Sequence, residues 1–318
     1  MEKKLTNTNF DHEINKVLII GLGQLGLPVA KYVKEKTDFD TYGFDIKEEA
    51  MERAEKIALI KKVEDNTDLG EFDVFILCVS THKVDDIFTP QIEGLLSIIK
   101  DKIAKEAKNG ALVSIESTIP RGTSKKVFEL LGHRLHVVHV PHRWYALEEG
   151  EHGVDQLRVV GGVCDCCLNA AMRFYSGVAG HTNNTNKDNL GIPLFPVSNI
   201  EIAEITKIAE NAHRYLQIAF AEDLYLYCQA NNLRFADLRE AINTKWNVNV
   251  LEPRDGIGGH CLPKDTMMFL HSSKSPIKSK ILTAAIEVDR DYRKYKQARS
   301  IAARSIAAQE TEQSVSLT

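Results

Sequence analysis

The feature that most constrains this chain is a glycine-rich turn that joins an apolar strand to a helix. The segment KVLII, residues 16–20, is followed at once by GLGQLG and then by the helical stretch PVAKYVKEKT. In such a turn Gly21 permits the tight bend, Gly23 lets the backbone approach a pyrophosphate, and Gly26 allows close helix packing. The pattern predicts a strand–turn–helix unit whose helix N-terminus faces phosphate groups.

A carboxylate follows this turn at the distance expected for a dinucleotide site. Asp45 closes the second predicted strand, 19 residues after Gly26, where it can accept hydrogen bonds from both ribose hydroxyls. A carboxylate there also repels a 2′-phosphate, so the pattern favours NAD over NADP. The cofactor contacts predicted in this segment are Gly21, Gly23, Gln24, Leu25, Gly26 and Asp45. A glycine turn without a ligand is the less favoured alternative.

Further along, strands alternate with helices until about residue 190, and a helical region follows. TYGFDI, DVFILCV, ALVSIES, LHVVHV and QLRVVGG are predicted strands, and apolar strands flanked by helices indicate a buried parallel sheet. LNAAMRFYSGVA is the next predicted helix, and HTNNTNKDN, residues 181–189, is a polar connection. From Ser198 to about Ala230, apolar residues at helical spacing predict one long helix, with Ser198 and Glu201 as a capping box.

The predicted fold class is α/β, with two domains. An N-terminal Rossmann dinucleotide-binding domain occupies residues 1–190, and a long connecting helix opens a small, mainly α-helical second domain over 191–296. That domain also contains the helix ADLREAIN, a loop with Pro253, and a helix from about Ile277 to Tyr295. Residues 297–318 are predicted to form a flexible tail.

Composition narrows the function classes. Forty basic and 44 acidic side chains give a net charge of −4, so no positive excess is available to neutralise nucleic-acid phosphates. The first fifteen residues lack the apolar core of a secretory signal, and no stretch reaches the roughly 18 apolar residues of a membrane span. We therefore expect a cytoplasmic protein with no membrane or nucleic-acid partner, whose six cysteines remain thiols.

Two later segments carry reactive side chains. In GIGGHCLPKD, residues 256–265, Cys261 is a candidate nucleophile beside glycines that leave room for a substrate, although a buried structural cysteine is the favoured reading of the residue alone. In AEITKIAEN, Lys207 and Asn211 stand four residues apart on one helix face. They could donate hydrogen bonds to a developing oxyanion, or simply form a solvated face.

Four segments, taken in order, resemble one enzyme family. GLGQLGLPVA, IESTIPRGTS, AEITKIAENAHRYLQIAFAEDL and GIGGHCLPKD are similar to motifs of the UDP-glucose/GDP-mannose dehydrogenase family. The resemblance covers roughly residues 16–296, and the His260–Cys261 pair resembles the UDP-N-acetylmannosamine dehydrogenase branch. It implies oxidation of a sugar primary alcohol to a carboxylate by two NAD in succession. Cys261 would hold the aldehyde as a thiohemiacetal and then as a thioester, which water hydrolyses.

The same resemblance assigns roles to individual residues. Lys207 and Asn211 match oxyanion-stabilising positions, Asp265 a carboxylate that orients the lysine and assists water, and Thr118 a position near the nicotinamide. The further implied cofactor contacts are Val79, Ser80, Thr81 and Glu116, and the implied substrate contacts are Arg143, Gly258, Gly259 and His260. The long helix is the implied interface of a homodimer, and the substrate is a sugar linked to a nucleotide.

This sequence departs from the family pattern in four places. Family members ordinarily continue for about another domain that holds the nucleotide, and this chain stops first, which predicts a shortened form. His142 stands where the family has a glutamate, so the general base is altered. Asn247 falls where the family often has a substrate-contacting arginine, and Arg254 falls where a glycine is common. We therefore expect an altered substrate pocket.

Two side-chain clusters contain residue types that can bind a metal ion. His133, His136, His139 and His142 recur every third residue, but a strand turns successive side chains to opposite faces, so they cannot all converge on one ion. Cys164, Cys166 and Cys167 form CxCC without a second cysteine pair, which favours ordinary packing thiols. No metal site is predicted. Arg121 and Arg143 are as compatible with binding a substrate phosphate as with an ordinary surface position.

Two other functions stay open. One is a beta-hydroxyacid dehydrogenase, which also pairs a Rossmann domain with a helical one and whose chemistry needs a lysine but no cysteine. The other is a regulatory protein that binds NAD without turning over, a reading that His142 and Asn247 favour. The joint presence of Cys261, Lys207, Asn211 and Asp265 argues against it.

Overall fold

The structure is a computed structural model that describes residues 10, 12–64, 67–82, 86, 89–144, 148–176, 188–273 and 279–315. It forms two compact units: a sheet unit, residues 1–207, and a helical unit, residues 208–318. The division between the units falls inside the long helix, whereas the sequence predicts a domain boundary at residue 190. Most of the predicted polar connection over 181–189 lies outside the described residues.

The sheet unit is built on eight strands in the order β3-β2-β1-β4-β5-β6-β7-β8. The strands are β1 (Lys16–Ile20), β2 (Asp40–Phe44), β3 (Lys61–Lys62), β4 (Val74–Leu77), β5 (Leu112–Ile115), β6 (His136–His139), β7 (Arg158–Gly162) and β8 (Leu194–Pro196). All neighbours pair in parallel except β6 and β7, which are antiparallel. The first six strands follow the order of the Rossmann fold, so the predicted fold class is confirmed.

Helices cover both faces of this sheet. They are α1 (Gly26–Lys36), α2 (Glu48–Ala58), α3 (Glu93–Ile98), α4 (Ala104–Glu106), α5 (Thr123–Leu131) and α6 (Asp165–Ser176), with a π-helical turn, Ile99–Ile103, joining α3 to α4. Because successive side chains of a strand point to opposite faces, Val17 and Ile19 pack in the core under α1, α2 and α6. Leu18 and Ile20 pack in the core under α3 and α5.

The long helix α7 (Ile200–Ala230) is confirmed, but its cap differs from the prediction. The Asn199 side chain, rather than Ser198, accepts a hydrogen bond from the Glu201 backbone N–H, at 2.9 Å. The Glu201 carboxylate binds Arg121 and Lys125, at 2.6 Å each, instead of reaching back to complete a capping box. These long-range ion pairs are invisible to a local sequence pattern.

The helical unit contains the rest of α7 together with α8 (Phe235–Asn243), α9 (Cys261–Ser272) and α10 (Lys280–Val315). Helix α9 was not predicted from the sequence; Pro263 lies in its first turn, where proline is tolerated. Helix α10 does not end near Tyr295 but continues to Val315, since its tail is rich in the good helix formers Ala, Gln, Glu and Arg. None of the helices in the described ranges is apolar enough over a sufficient length to span a bilayer.

Candidate active site

The glycine turn between β1 and α1 has the geometry of a phosphate cradle. Gly21 adopts φ +91°, and a Cβ on it would lie 2.7 Å from the Cys78 carbonyl oxygen. A Cβ on Gly26 would lie 1.7 Å from the Gly21 carbonyl oxygen, so no larger residue fits there. A Cβ on Gly23, by contrast, would have no atom within 4 Å, so this side of the turn is open. Gln24 beside it is exposed.

Asp45 closes this cradle on the β2 side. One carboxylate oxygen accepts the Leu22 backbone N–H at 2.7 Å, and the other accepts the Lys47 backbone N–H at 2.9 Å. Each oxygen keeps a further lone pair, which suits a pair of ribose hydroxyls. The turn and this carboxylate therefore fit the NAD that the sequence predicts.

The carboxyl ends of β4 and β5 are joined by side-chain hydrogen bonds. The Thr81 hydroxyl donates to the Thr118 carbonyl at 2.7 Å, and the Ser117 hydroxyl donates to the Val79 carbonyl at 2.7 Å. Ser80 is exposed between them. The structure thus brings together, at one edge of the sheet, four residues that the family resemblance implies near the cofactor: Val79, Ser80, Thr81 and Thr118.

Glu116 lies at the same edge but is buried in a polar network, hereafter the Glu116 network. Its carboxylate accepts hydrogen bonds from Nε2 of His142 and from the Tyr175 hydroxyl, and Arg158 Nη1 lies 3.2 Å from Oε2. The Ser114 and Tyr175 hydroxyls are 2.7 Å apart. Glu116 is 1% exposed. Its burial and its bonds to protein groups argue against the cofactor contact that the resemblance implied.

The environment sets the charges in this network. Burial raises the pKa of Glu116, but attraction to His142 and Arg158 outweighs this effect and brings it to about 2. Burial, followed by repulsion from Arg158, lowers the pKa of His142 to about 4. At neutral pH the network therefore holds one carboxylate, one guanidinium and a neutral imidazole. Because a carboxylate only accepts, Nε2 carries the imidazole proton and Nδ1 carries the lone pair.

Lys207 is positioned at this edge by the first turns of α7. One turn earlier, the Glu204 carboxylate accepts the backbone N–H groups of Gly122 and Ser124, at 2.6 and 2.7 Å, and so caps α5. The charge of Lys207 contributes to lowering the pKa of His142, after the larger effects of burial and Arg158. The ammonium group thus acts on the imidazole.

The two candidate phosphate-binding arginines of the sheet unit have protein partners. Arg121 pairs with Glu201, and Arg143 Nη1 donates to the Leu157 carbonyl at 2.9 Å. Arg143 is partly exposed, and its predicted substrate contact stays a prediction.

In the helical unit, Cys261 is the exposed first residue of α9. Its sulfur lies 3.6 Å from Nδ1 of His260, whose pKa is lowered by burial and by the neighbouring Lys264. A helix N-terminus favours negative charge, which suits the thiolate form of a cysteine. A Cβ on Gly258 or Gly259 would have no atom within 4 Å, so the loop leading to the thiol is open.

Asn211 and Asp265 meet within this unit, as two residues of one site should. The Asn211 amide donates to Oδ2 of Asp265, and Lys264 Nζ lies 3.0 Å from Oδ1. Asp265 is 1% exposed. Lys264 was not singled out from the sequence, although its place beside Asp265 on the first turn of a helix would have been a signal had α9 been predicted.

Position 254 explains one departure from the family pattern. Arg254 adopts φ +51°, in the left-handed region that favours glycine. The Tyr292 hydroxyl donates to its carbonyl at 2.6 Å, which holds the bend in place. Arg254 thus adopts the backbone conformation in which glycine is favoured.

Residues 201–291 match the profile of the UDP-glucose/GDP-mannose dehydrogenase family, central domain. The chain carries a domain of this family. The chain is 31% identical over 287 residues to a UDP-N-acetyl-D-mannosamine dehydrogenase of Pyrococcus horikoshii, covering 81% of this chain and 65% of the relative. It is 28% identical over 299 residues to the Methanococcus maripaludis enzyme of the same name, covering 88% and 66%.

A solved structure agrees with these relatives. The UDP-D-ManNAc dehydrogenase of Pyrococcus horikoshii superposes with a TM-score of 0.76 at 27% identity, covering 92% of this chain and 72% of that one. The chain spans about two thirds of the length of the curated dehydrogenases that it matches. The family likeness therefore extends over both compact units.

Proposed function

We propose that this chain oxidises the C6 primary alcohol of a nucleotide sugar, UDP-N-acetylmannosamine or a close analogue, to a uronate with NAD. The observation that carries the proposal is the placement of Cys261. It is exposed, it begins a helix, and its sulfur lies 3.6 Å from an imidazole in a loop open to solvent. A thiol in such a position is suited to nucleophilic attack rather than to packing.

The cofactor contacts we propose are the backbone of Gly21, Gly23, Gln24, Leu25 and Gly26 with the carboxylate of Asp45, and the segment of Val79, Ser80 and Thr81. NAD, when bound, accepts one hydride in each of the two oxidations. The chain's own task is to keep the substrate carbon in place between them. The C6 hydroxyl proton leaves to solvent as the hydride is lost, Lys207 and Asn211 stabilise the alkoxide oxygen, and Thr118 is the residue we propose beside the reacting carbon.

Cys261 links the two oxidations. The thiolate sulfur adds to the carbonyl carbon of the aldehyde, and the oxygen, now an alkoxide, is stabilised by the ammonium of Lys207. Loss of hydride from this thiohemiacetal gives a thioester on Cys261. Water then attacks the thioester carbon and gives one proton to the base; the C–S bond breaks, the second proton leaves to solvent, and the carboxylate departs with the thiolate restored. Asp265 accepts a hydrogen bond from Asn211 and, in this proposal, orients the donors Asn211 and Lys207.

His142 supplies the base that the family glutamate would provide. Its Nε2–H is held by Glu116, and Nδ1, which carries the lone pair, is buried and has no hydrogen-bond partner within the described ranges. A neutral imidazole oriented by a carboxylate can accept the proton of the attacking water. We propose His142, oriented by Glu116, as the base of thioester hydrolysis, a role that the His142→Gln variant tests.

We also propose a homodimer through α7. Phe220 and Tyr227 are 55% and 58% exposed, although both are large apolar side chains on one helix. Burying two such side chains against a second copy would be favourable. Sedimentation of the purified chain measures this directly, and a monomer at micromolar concentration would contradict it.

The decisive experiment follows NADH and products with UDP-N-acetylmannosamine, UDP-N-acetylglucosamine, UDP-glucose and GDP-mannose. The expected result is two NADH for each uronate formed. Cys261→Ser should abolish uronate formation, because the hydroxyl is a far weaker nucleophile. Cys228→Ala is the matched control, since Cys228 is a buried thiol of the same unit packed near Phe235 and Val250. NAD binding without NADH from any substrate would instead support a regulatory protein, and a fully active Cys261→Ser would support a beta-hydroxyacid dehydrogenase.

A further inference from the structure

Four potential metal ligands that take no part in this reaction meet in the sheet unit. Nε2 of His133 lies 3.0 Å from Sγ of Cys166 and 3.4 Å from Sγ of Cys164. Sγ of Cys164 lies 2.9 Å from that of Cys166 and 3.2 Å from that of Cys167. All four ligand atoms lie within 4.8 Å of one another. We propose that these residues, the Cys3His cluster, bind one Zn²⁺ ion in tetrahedral coordination.

The ligands come from two separate parts of the chain. His133 lies in the 3-10 turn Gly132–Arg134 between α5 and β6, and its backbone, at φ −78° and ψ 21°, departs from helical geometry. Cys164 directly precedes α6, and Cys166 and Cys167 lie in its first turn. A convergence of four such side chains from two connections is unusual for packing alone, and Cys3His is a common ligand set of structural zinc sites.

The separations fit a metal ion better than a disulfide. The S–S bond of a disulfide is about 2.0 Å long, whereas the sulfurs here are 2.9 and 3.2 Å apart and all three are free thiols. With a Zn–S bond of about 2.3 Å, tetrahedral geometry places two sulfurs about 3.8 Å apart. The separations in the cluster extend to 4.8 Å and so span that value. Small side-chain adjustments would complete the coordination.

The surroundings of the Cys3His cluster stabilise the negative charge that it would carry with Zn²⁺ bound. Three thiolates, one neutral imidazole and Zn²⁺ carry a net charge of −1, and the three thiol protons leave to solvent on binding. The N-terminus of α6, where the cysteines lie, stabilises a negative group. The Val137 backbone N–H also donates to Sγ of Cys167 at 3.4 Å. Such N–H···S bonds orient a ligand around a metal.

The location indicates a structural ion rather than a catalytic one. The cluster lies where β6 begins and β7 ends, whereas the glycine turn, Thr118 and His142 follow the carboxyl ends of their strands. The antiparallel pairing of β6 and β7 is short, limited to Val138 with Gly162 and His139 with Gly161. A zinc ion would join the turn before β6 to the segment after β7, beside this short pairing. Four protein ligands also leave no position for a substrate.

Metal analysis of the untagged full chain tests this proposal. Protein expressed with added zinc and purified under reducing conditions should contain about one Zn²⁺ per chain, as a four-ligand structural site does. Replacement of the ion by Co²⁺ should give the visible d–d bands of tetrahedral cobalt together with thiolate-to-cobalt charge transfer. A wild-type chain that binds neither ion, or a cobalt spectrum without thiolate charge transfer, would overturn the proposal.

Variants locate the ion. His133→Ala and Cys166→Ser should weaken zinc binding by at least about tenfold, since even changes beside a metal ligand have effects of that size. His152→Ala and Cys261→Ser, which change a histidine and a cysteine outside the cluster, should keep the metal content. Undiminished zinc in the first pair would contradict the assignment, as would a disulfide among Cys164, Cys166 and Cys167 found by mass spectrometry of the native chain. If the ligand variants fail to fold, the wild-type cobalt spectrum decides.

Discussion

In the sheet unit the buried carboxylate of Glu116 contacts Arg158, His142 and Tyr175. In the helical unit the fully buried carboxyl group of Glu222 has a second carboxylate, that of Asp289, as its neighbour. Burial and the nearby Asp289 raise the pKa of Glu222 to about 8, while the pKa of Glu116 is about 2. At neutral pH a buried glutamate is thus ionised in the sheet unit and protonated in the helical unit.

The difference teaches that a buried carboxylate acquires its charge state from its partners. Glu116 has a guanidinium beside it and hydrogen-bond donors on both oxygens, so the cost of burying its charge is offset. Glu222 has another carboxylate beside it, and a protonated carboxyl avoids that repulsion. The first arrangement holds the imidazole of His142 in one orientation, whereas the second makes the stability of the helical unit sensitive to alkali.

The largest effect is expected from His142→Gln, which keeps the donor to Glu116 but removes the basic Nδ1. Hydrolysis of the thioester should slow by about 10²–10⁴-fold, the usual contribution of general base catalysis. Intact-protein mass spectrometry should then detect the acyl adduct on Cys261 during turnover. Turnover at the wild-type rate without an accumulating adduct would remove His142 from the mechanism and reduce the Glu116 network to a structural element.

Arg158→Met should destabilise the sheet unit by about 3–5 kcal/mol, because it leaves the Glu116 carboxylate buried without its cation. Hydrogen exchange of peptides from β5 and β6 during urea unfolding reads this unit separately. Arg53→Met is the matched control: Arg53 is exposed and donates one hydrogen bond to the Leu22 carbonyl, so about 1 kcal/mol is expected. Equal losses in both variants would mean that the ion pair with Glu116 is not what stabilises the unit.

The smallest effect concerns the pH dependence of the helical unit. Because the folded pKa of Glu222, about 8, exceeds its ordinary value of 4.5, the folded state holds the proton more tightly. Stability from this group is complete below pH 4.5 and is lost as the pH rises toward 8. Glu222→Gln should flatten this decline, measured as exchange protection of α10 between pH 5 and pH 8. An unchanged slope would assign the decline to other groups.

The sheet unit should show the opposite trend at acid pH. The pKa of His142 is lowered from 6.5 to about 4, so the neutral imidazole contributes stability above pH 6.5 that is lost as the pH falls toward 4. The carboxylate of Glu116 adds a further loss as the pH falls from 4.5 toward 2. Exchange protection of peptides from β5 and β6, measured from neutral pH down toward pH 2, reads this decline, whose sign is opposite to that of the helical unit.

Much of the fold and part of the site could be predicted from the sequence. Six of the strands, the glycine turn and the long helix follow from hydrophobic periodicity and from backbone freedom at Gly21 and Gly26, which are local properties. The short strands β3 and β8 were not predicted, because their pairing depends on the neighbouring strand rather than on an apolar pattern of their own. Cys261 could be singled out because its neighbours form a recognisable motif, whereas its position at the start of a helix was not predicted. Arg158 was missed, although a charged residue inside an apolar strand is a signal that a buried partner must exist.

The sequence by itself determined where the backbone bends, which faces are apolar and which residue types are available for chemistry. Only the tertiary structure decided that Glu116 is buried against His142, Tyr175 and Arg158, and that His133 lies beside three cysteines. The physical reason is that local periodicity is set by neighbours in the chain. Charge state and metal coordination, in contrast, depend on contacts between residues far apart in sequence, which exist only once the sheet has formed.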